Sequence, residues 1–441
     1  MILESIDLLN FRCFKTQTVP LDRHLNVFVG GNGSGKSTLL DGLSVSLGAI
    51  VARLPFDKRP RVPTITASDI HLIAEDRSAS SAQIVSVGRF NGSVPVSWGR
   101  VRYRDQSPST KAESRHSLKD AKALNLHLDR IIDAHNAEVP YTLPVFAYYG
   151  TNRGVNIPRY RLRQAATPKQ FRRLAGLEDA LQTTTDFRRS IEWFDFFERR
   201  ELREQRDGIL RGPLPALQCV RTAISSMIQG INNPRIDGTT GRFAIDTRDP
   251  VGVVIKLNLD QLSDGYQVVL GVVMDFALRL ALANPPELTG RDALETEAIL
   301  IIDEVDLHLH PAWQQRIIPD LRRTFPNTQL ILTTHSPQVA TTVPSQSLKI
   351  LYQSQLHSAP AGTEGAEAQR LLEDVFVVNA RPDVGPAREL NEYLRLVDDR
   401  KWGTPKALEL RRVLDDWSQG TEPRLIEADL QIDNQKWEDE L

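Results

Sequence analysis

Residues 30–38, GGNGSGKST, constrain the fold of this chain more than any other stretch. They fill the pattern G-x-x-x-x-G-K-[ST], in which small residues let backbone N–H groups close around phosphate oxygens. An apolar segment, Leu25–Val29, precedes them, and residues 38–47 continue with helical character. A strand, a glycine-rich loop and a helix N-terminus in this order form an anion site, because the helix dipole favours negative charge. The sequence therefore predicts a phosphate loop on an α/β fold.

The phosphate loop, residues 30–38, predicts a nucleoside triphosphate bound with Mg²⁺. Lys36 can reach the β- and γ-phosphates, and Ser37 can hold the metal ion. The residues predicted to contact the nucleotide here are Gly30, Gly31, Asn32, Gly33, Ser34, Gly35, Lys36, Ser37 and Thr38.

Length and composition fit a folded soluble protein. Of 441 residues 41% are hydrophobic and 25% charged, and the net charge of −2 argues neither for nor against nucleic acid. Two cysteines, Cys13 and Cys219, lack a metal-ligand spacing and favour a reducing compartment. The most apolar long stretch, residues 268–283, carries Asp275 and Arg279, which favours a buried helix over a membrane span. The N-terminus has no signal-peptide pattern, so we expect a cytoplasmic protein with no membrane partner.

Changes of pattern along the chain predict five segments. Short apolar strands mark the first and third, charged helical spacing marks the second, and the last two are helical and then acidic. The segments are residues 1–156, an N-terminal ATPase lobe; 157–232, a helical insertion; 233–380, a C-terminal ATPase lobe; 381–420, a helical hairpin; and 421–441, an acidic tail.

Periodicity predicts individual elements within these segments. Residues 82–104 alternate apolar and polar side chains about Asn91-Gly92, which predicts an antiparallel hairpin. A long helix is predicted from Ser263 to about Ala283. The same patterns predict helices at 168–183, 186–207, 213–230, 385–398 and 405–417, and a short strand at 370–378.

Two further strands end in groups that ATP hydrolysis needs. Ala298–Ile302 is followed by Asp303 and Glu304, and we expect this strand beside that of the phosphate loop. Asp303 would then hold Mg²⁺, while Glu304 would polarise the attacking water as general base. Residues 330–333 lead to His335, which could contact the γ-phosphate. In isolation these would be a solvated strand end and a surface histidine, but the phosphate loop in the same chain favours the catalytic interpretation.

The segment LSDGYQ, residues 262–267, directly precedes the long helix. Ser263 could cap that helix, and its hydroxyl with the free N–H groups near Gly265 would form a second anion site. The alternative is a capped helix and nothing more. A second phosphate site in one chain suggests that it meets a nucleotide held by another copy, in a two-fold dimer with both nucleotides at the interface.

Together these elements resemble the ABC-type ATPase head domains of the RecF/SMC/Rad50 group. LSDGYQ is similar to the LSGGQ signature, although Asp264 replaces its middle glycine and Tyr266 departs from the pattern. The resemblance implies an ABC-type P-loop NTPase head with a mixed sheet, an antiparallel β lobe, a helical insertion and a C-terminal helical segment. It also implies ATP and Mg²⁺ as cofactors and a homodimer that sandwiches ATP, or a higher oligomer.

The same resemblance suggests three further sites. NFRCF, residues 10–14, looks like the opening strand of the group, where Arg12 would lie near the nucleotide. Residues 150–153 stand where a Q-loop is expected, with Asn152 in place of the usual glutamine. DLHLHP, residues 306–311, looks like the D-loop region that crosses the dimer.

A narrower resemblance covers nearly the whole chain. The strings YYGTNR, DEVDLHLHPAWQ, THSPQV and LLEDVFVVNARP resemble a bacterial family that includes the ATPase subunits of Septu-type anti-phage systems and of some retrons. This implies an ATPase that regulates an HNH-type nuclease encoded alongside, since the chain itself shows no nuclease motif. The alternatives are a RecF-like ATPase whose output is DNA binding and repair, and a nucleotide-bound scaffold, against which Glu304 argues.

Two segments outside the ATPase elements could bind a partner. Residues 153–173 carry seven basic residues and no acid, which predicts a DNA contact or, alternatively, a solvated helix face paired with acids of residues 178–207. The tail from Thr421 predicts a docking segment or, alternatively, a disordered solubilising tail. The residues on which these two predictions rest are Arg153, Arg159, Arg161, Arg163, Lys169, Arg172 and Arg173, and then Leu425, Ile426, Leu430, Ile432 and Trp437.

Overall fold

A computed structural model describes residues 1–75, 77–105, 121–153, 172–183, 187–249, 251–379 and 381–439. The chain divides into two compact units, a larger one at Met1–Phe376 and a smaller one at Val377–Leu441.

A six-stranded mixed sheet forms the centre of the larger unit. Its strands are β3 (Leu25–Val29), β8 (Val145–Tyr149), β12 (Ala298–Ile302), β13 (Thr328–Thr333), β14 (Leu348–Tyr352) and β15 (Gln355–Ser358). Their order is β15-β14-β3-β13-β12-β8, and all neighbours pair in parallel except β14 with β15. Strands β3, β8, β12 and β13 are buried at every residue, as expected for parallel strands covered on both faces.

Three antiparallel sheets surround this centre. The largest has the order β2-β1-β6-β7, a second has the order β11-β10-β9, and β4 pairs with β5. The hairpin predicted within residues 82–104 is confirmed, since β6 and β7 pair in register from Ser81↔Tyr103 to Gly88↔Val96. These strands are β1 (Ile2–Phe11), β2 (Phe14–Pro20), β4 (Leu72–Ala74), β5 (Arg77–Ser78), β6 (Ser81–Arg89), β7 (Val96–Tyr103), β9 (Asn232–Ile236), β10 (Phe243–Arg248) and β11 (Val254–Asn258). The mixed sheet with an antiparallel lobe confirms the predicted fold class.

The helices of the larger unit pack around the sheets. They are α1 (Lys36–Val51), α2 (Ala121–Asn136), α3 (Arg188–Arg206), α4 (Pro215–Met227), α5 (Asp264–Ala283), α6 (Pro286–Thr289), α7 (Pro311–Gln314), α8 (Ile317–Thr324), α9 (Pro337–Ala340) and α10 (Ala368–Asp374). Among the described residues, one stretch, Asp264–Thr289, has the length and hydropathy of a membrane span, and 89% of its apolar window is buried inside the protein. This burial agrees with the predicted core helix.

Two predicted elements of the larger unit are wrong. The strand expected at 370–378 is replaced by helix α10 and irregular chain. A short apolar run fits a strand or a helix equally well, and here the helix buries the side chain of Leu371 in the core. The helix expected at 168–183 is, over its described residues 172–183, a short 3-10 helix at Arg173–Leu177. There Gly176 lies so close to α5 that an added Cβ would be 2.7 Å from the Arg279 carbonyl oxygen.

The smaller unit is a bundle of three helices, α11 (Gly385–Asp398), α12 (Pro405–Ser418) and α13 (Pro423–Asp439). Helices α11 and α12 match the two predicted from periodicity. The segment expected as an acidic tail is helix α13, because its apolar residues recur at helical spacing. The core of the bundle contains Leu390, Tyr393, Val397, Ala407, Leu414, Leu425, Ala428 and Ile432. Two of the apolar residues assigned to docking, Leu425 and Ile432, are therefore used inside this unit.

Candidate functional site

The phosphate loop joins β3 to α1 through backbone that requires glycine. Gly30, Gly33 and Gly35 have φ values of 154°, 77° and 105°, which side chains of L-residues rarely tolerate. A Cβ on Gly30 would also be 2.2 Å from the Leu351 carbonyl oxygen. The fold thus holds the loop in a conformation that only this glycine pattern permits.

Lys36 and Ser34 give the loop the properties of an anion site. The Lys36 ammonium donates to the carbonyl oxygens of Gly30 and Gly31 at 2.8 and 3.0 Å, and it has no ion pair among the described residues. Burial lowers the pKa of Lys36, although the negative charges of Asp303, Glu304 and Asp306 act to raise it. The Ser34 hydroxyl is buried without a hydrogen-bond partner in the described chain. A lysine ammonium without an ion pair and an unpaired hydroxyl in the same loop fit a phosphate group.

Asp303 and Glu304 follow β12 and are fixed by the neighbouring strands. Thr333 donates its hydroxyl to Asp303 Oδ1 at 2.5 Å and accepts the Glu304 N–H at 2.7 Å. The Asp303 N–H donates to the Tyr149 carbonyl at 2.9 Å, and Asp303 is only 4% exposed. Glu304 has a φ of 49°, in the left-handed region. Thr333 was not predicted as a site residue, although it ends a buried strand two residues before His335.

The expected adjacency of β12 and β3 is wrong. Strand β13 lies between them, pairing in parallel with both. Thr333 lies at the end of this intervening strand. Its backbone pairs with β3, and its hydroxyl hydrogen-bonds Asp303 and Glu304 at the end of β12. Because β3, β13 and β12 run parallel, the phosphate loop after β3 and the acids after β12 still lie at the same edge of the sheet.

Asp306 organises the chain that carries His335. The Thr334 hydroxyl donates to Asp306 Oδ1 at 2.5 Å, and the His335 N–H donates to the same oxygen at 3.3 Å. His335 itself is half-buried. The sequence interpretation gave Asp306 only a place in a dimer-crossing loop, whereas the structure makes it the hydrogen-bond acceptor that holds the start of the His335 segment.

The LSDGYQ segment packs on residues 308–313. Ser263 occupies the N-cap position of α5, but its hydroxyl makes no cap hydrogen bond and the residue is exposed. A Cβ on Gly265 would be 2.5 Å from the His308 carbonyl oxygen, and the rings of Tyr266 and Trp313 are 4.2 Å apart. Within the described chain, no hydrogen bond joins Ser263 to the phosphate loop.

Arg12 and Asn152 have different environments. Arg12 donates to Asp69 at 2.8 Å and to Asp41, on α1, at 2.5 Å. Burial lowers the pKa of Arg12, but the hydrogen bonds and charges of Asp69 and Asp41 raise it, and the pKa is raised overall. Asn152 is exposed at the end of β8. The nucleotide contacts assigned to both residues remain predictions.

Two described members of the basic segment are directed at backbone groups, Arg153 as a buried residue and Arg173 as a partly buried one. Arg153 is 2% exposed and donates to the carbonyl oxygens of Gly150, Asp303 and Glu304. Arg173 donates to the Ala283 and Tyr141 carbonyls at 2.8 and 2.7 Å. These two side chains are therefore turned toward backbone instead of forming the predicted DNA-contacting patch. Arg172 pairs with Asp57 at 3.1 Å, and Arg159, Arg161, Arg163 and Lys169 lie outside the described residues.

Ser37 and Asp303 are the residues predicted from the sequence to hold Mg²⁺. Ser37 is exposed in the first turn of α1, and Asp303 is buried beside the hydroxyl of Thr333. No group of three or more His, Cys, Asp and Glu side chains forms a metal cluster in the described part of the chain. Two ligands nevertheless fit Mg²⁺, which keeps several waters and uses phosphate oxygens for the rest of its shell.

Family models match two parts of the chain. A model described as "AAA domain" matches residues 5–212, and one described as "AAA domain, putative AbiEii toxin, Type IV TA system" matches residues 221–341. Among solved structures, the "SMC head domain from Thermotoga maritima" covers 82% of this chain and all of its own, at 16% identity and a TM-score of 0.43.

Three similar proteins are named as retron or Septu proteins. The "Retron Ec83 probable ATPase" of Escherichia coli is 36% identical over 226 residues, 51% of this chain and 40% of that protein. The "Retron Vc95 probable ATPase" of Vibrio cholerae serotype O1 biovar El Tor is 28% identical over 84% of this chain and 79% of its own. The "Septu protein PtuA" of Bacillus thuringiensis is 25% identical over 36% of this chain and 43% of its own. The chain thus spans less than half the length of two of these relatives. The chain is similar in sequence to these retron and Septu proteins, and AAA-domain models match two parts of it.

Proposed function

We propose that this protein is an ATPase that dimerises around ATP and Mg²⁺ and regulates an HNH-type nuclease in anti-phage defence. The observation that carries the ATPase part is geometric: the phosphate loop with Lys36 follows β3, and Asp303 and Glu304 follow β12, so both leave the carboxyl edge of one set of parallel strands. These groups belong to elements that are more than 260 residues apart in the chain. Such an arrangement has the cation, the metal ligand and the base that phosphoryl transfer requires.

Each residue has a distinct part in this proposal. The N–H groups of residues 30–38 bind phosphate oxygens, and Lys36 stabilises charge on the γ-phosphate. Ser37 and Asp303 would hold Mg²⁺, which would supply positive charge that offsets the charge of the phosphates. Glu304 accepts a proton from the attacking water, and His335 hydrogen-bonds the γ-phosphate.

The proposed dimer is supported by the exposed N-terminus of α5. Ser263 has a hydroxyl that makes no cap hydrogen bond, at the start of a 20-residue helix. The helix dipole and the orphan N–H groups there favour an anion. A second copy would bring its phosphate-loop nucleotide to Ser263 and Gly265, completing a site that one chain contains only in part.

The proposed nuclease contact is supported by one face of α13. Ile426, Leu430 and Trp437 are 54, 63 and 65% exposed, and their spacing of four and seven residues places them on one side of the helix. The buried Leu425 and Ile432 lie on the opposite side. Acidic residues flank the exposed stripe along the helix. A partner groove with an apolar floor and a basic rim would fit this surface.

The substitution Glu304→Gln tests the ATPase proposal. The variant keeps the shape and the N–H contacts of the site but cannot take a proton from water. We expect ATP binding within about twofold of wild type and a fall in kcat of about 10²–10⁴-fold, the usual contribution of a general base. Binding is measured with labelled ATP at equilibrium and turnover by phosphate release. Glu295→Gln, on the exposed turn before β12, controls for loss of one carboxylate. Unchanged turnover in Glu304→Gln would exclude Glu304 as the base.

A further inference from the structure

We infer that Arg153 is a positioning residue that fixes the backbone of Asp303 and Glu304 and so sets the rate of hydrolysis. The inference rests on the ATPase activity proposed above. It removes Arg153 from the basic surface segment and places it in the support of the active site.

The contacts of Arg153 converge on the end of β12. One guanidinium nitrogen donates to the Gly150 carbonyl at 3.1 Å and to that of Asp303, and the other donates to the carbonyl of Glu304. The side chain therefore bridges the ends of β8 and β12, which are neighbouring parallel strands. A planar fork with several fixed donors can hold three carbonyl oxygens at once, which a single ammonium group cannot do in the same geometry.

The surroundings of Arg153 indicate a specific role instead of a surface one. The residue is 2% exposed and lines a small apolar pocket with Val268, Ile302 and Val305. Among the described residues it makes no salt bridge, so backbone carbonyls are its hydrogen-bond partners. Burying a guanidinium against an apolar wall is costly unless its donors are used. Here the donors are used on the two residues assigned to metal binding and to water activation.

Glu304 needs such support because of its backbone. Its φ of 49° is rare for a residue with a side chain and persists where neighbouring groups impose it. The Thr333 hydroxyl holds the Glu304 N–H, and the Tyr149 carbonyl holds the Asp303 N–H. Arg153 supplies the hydrogen bonds on the carbonyl side of both residues. Its loss would free the peptide plane that aims the Glu304 carboxylate.

Arg173 provides a matched control. It also donates to two backbone carbonyls, those of Tyr141 and Ala283, and its guanidinium lies 3.7 Å from the Tyr141 ring centroid. It has the same chemistry as Arg153 but no contact with Asp303 or Glu304. Replacement of either arginine by lysine therefore removes similar hydrogen bonds to backbone carbonyls. Only Arg153→Lys removes those to Asp303 and Glu304.

The experiment compares purified full-length Arg153→Lys, Arg173→Lys, Glu304→Gln and the double variant Arg153→Lys/Glu304→Gln. For Arg153→Lys we expect kcat to fall about 10- to 100-fold, since a 1 Å misplacement of a catalytic group costs about 10²-fold. Its KM and its equilibrium affinity for ATP should stay within about twofold of wild type, because the phosphate loop is intact. Arg173→Lys should lower Tm without changing kcat. In the Glu304→Gln background the Arg153 substitution should cause less than its full multiplicative loss in single-turnover rate, because part of its effect acts through the Glu304 carboxylate.

Two results would overturn the inference. One is a kcat for Arg153→Lys equal to that of Arg173→Lys, and the other is a full multiplicative loss in the Glu304→Gln background. Arg153→Gln, which keeps two N–H donors, is assayed in parallel so that the result does not depend on the folding of one variant. If the ATPase proposal itself is wrong, the result is different: wild-type protein and Glu304→Gln would show the same ATP turnover or none.

Discussion

Two lysines of the larger unit, the buried Lys36 and the partly buried Lys349, show how one residue type serves two purposes. Lys36 donates to two loop carbonyls beside the unpaired Ser34 hydroxyl, so its surroundings leave room for an anion. Lys349, on β14, donates to Asn26 Oδ1 at 2.9 Å and to the Pro20 carbonyl, and lies 5.5 Å from the Phe28 ring centroid. Its hydrogen bonds join strand ends, which assigns Lys349 to the fold.

The substitution Lys349→Met should change how stability depends on pH. Burial lowers the pKa of Lys349 to about 8, against an ordinary value of 10.5 in the unfolded chain. Between these values the unfolded state binds the additional proton, so the free energy of unfolding of wild type rises with pH relative to the variant. Urea unfolding at steps from pH 7.5 to 10.5 would measure this. Lys15→Met, on the exposed side of β2, is the control, and parallel curves for wild type and Lys349→Met would contradict the prediction.

At the scale of elements, helix α13 has two apolar faces with different uses. Leu425, Ala428 and Ile432 close the core of the three-helix bundle. Ile426 and Leu430 project to the other side and are more than half exposed. A helix already stabilised by its inner face can present the outer one as a rigid binding surface, which lowers the entropy cost of binding.

The double substitution Ile426→Lys/Leu430→Lys should abolish nuclease binding without unfolding the bundle. Each change places a charge where an apolar anchor is proposed, and loss of one hot-spot residue costs about 2 kcal/mol or more, roughly 30-fold in affinity. Co-expression with an HNH-type nuclease, the proposed partner, followed by affinity capture and calorimetry, measures the effect. Glu409→Lys on α12 controls for added positive charge, and Leu425→Lys should instead unfold the bundle. Retained binding in the double variant would exclude this face.

The sequence predicted local elements well and long-range neighbours less well. The strand, loop and helix around Lys36 and the hairpin at residues 82–104 depend on nearby residues, and the structure confirms both. The order of parallel strands depends on contacts between distant segments, so the position of β13 between β3 and β12 was missed. Arg153 and Thr333 were missed as site residues because their roles depend on which backbone groups the fold brings to them.

At the scale of the whole molecule, the proposed composite site makes each chain half of two active sites. Lys36 and Glu304 belong to the half that holds the phosphates, and Ser263 to the half that faces the partner copy. Substitutions in different halves should therefore complement each other within a mixed dimer, whereas substitutions in the same half should not.

Mixing inactive Lys36→Ala with inactive Ser263→Arg should restore ATP hydrolysis. Half of the dimers in an equal mixture contain both variants, and each of these has one intact site of two, so about a quarter of wild-type turnover is expected. Phosphate release after mixing and equilibration measures it. Mixing Lys36→Ala with Glu304→Gln is the control and should stay inactive, because every site then carries a defect. Absence of recovery in the first mixture would argue for a site completed within one chain.

The exposed start of α5 has a consequence for how the protein behaves in a cell. With Ser263 left to serve a neighbouring copy, turnover per chain depends on how often two chains meet. At low copy number the rate would rise with the square of protein concentration and would become linear once most chains are paired. In the quadratic range a twofold change in expression would then change total ATP hydrolysis about fourfold, with no change in ATP.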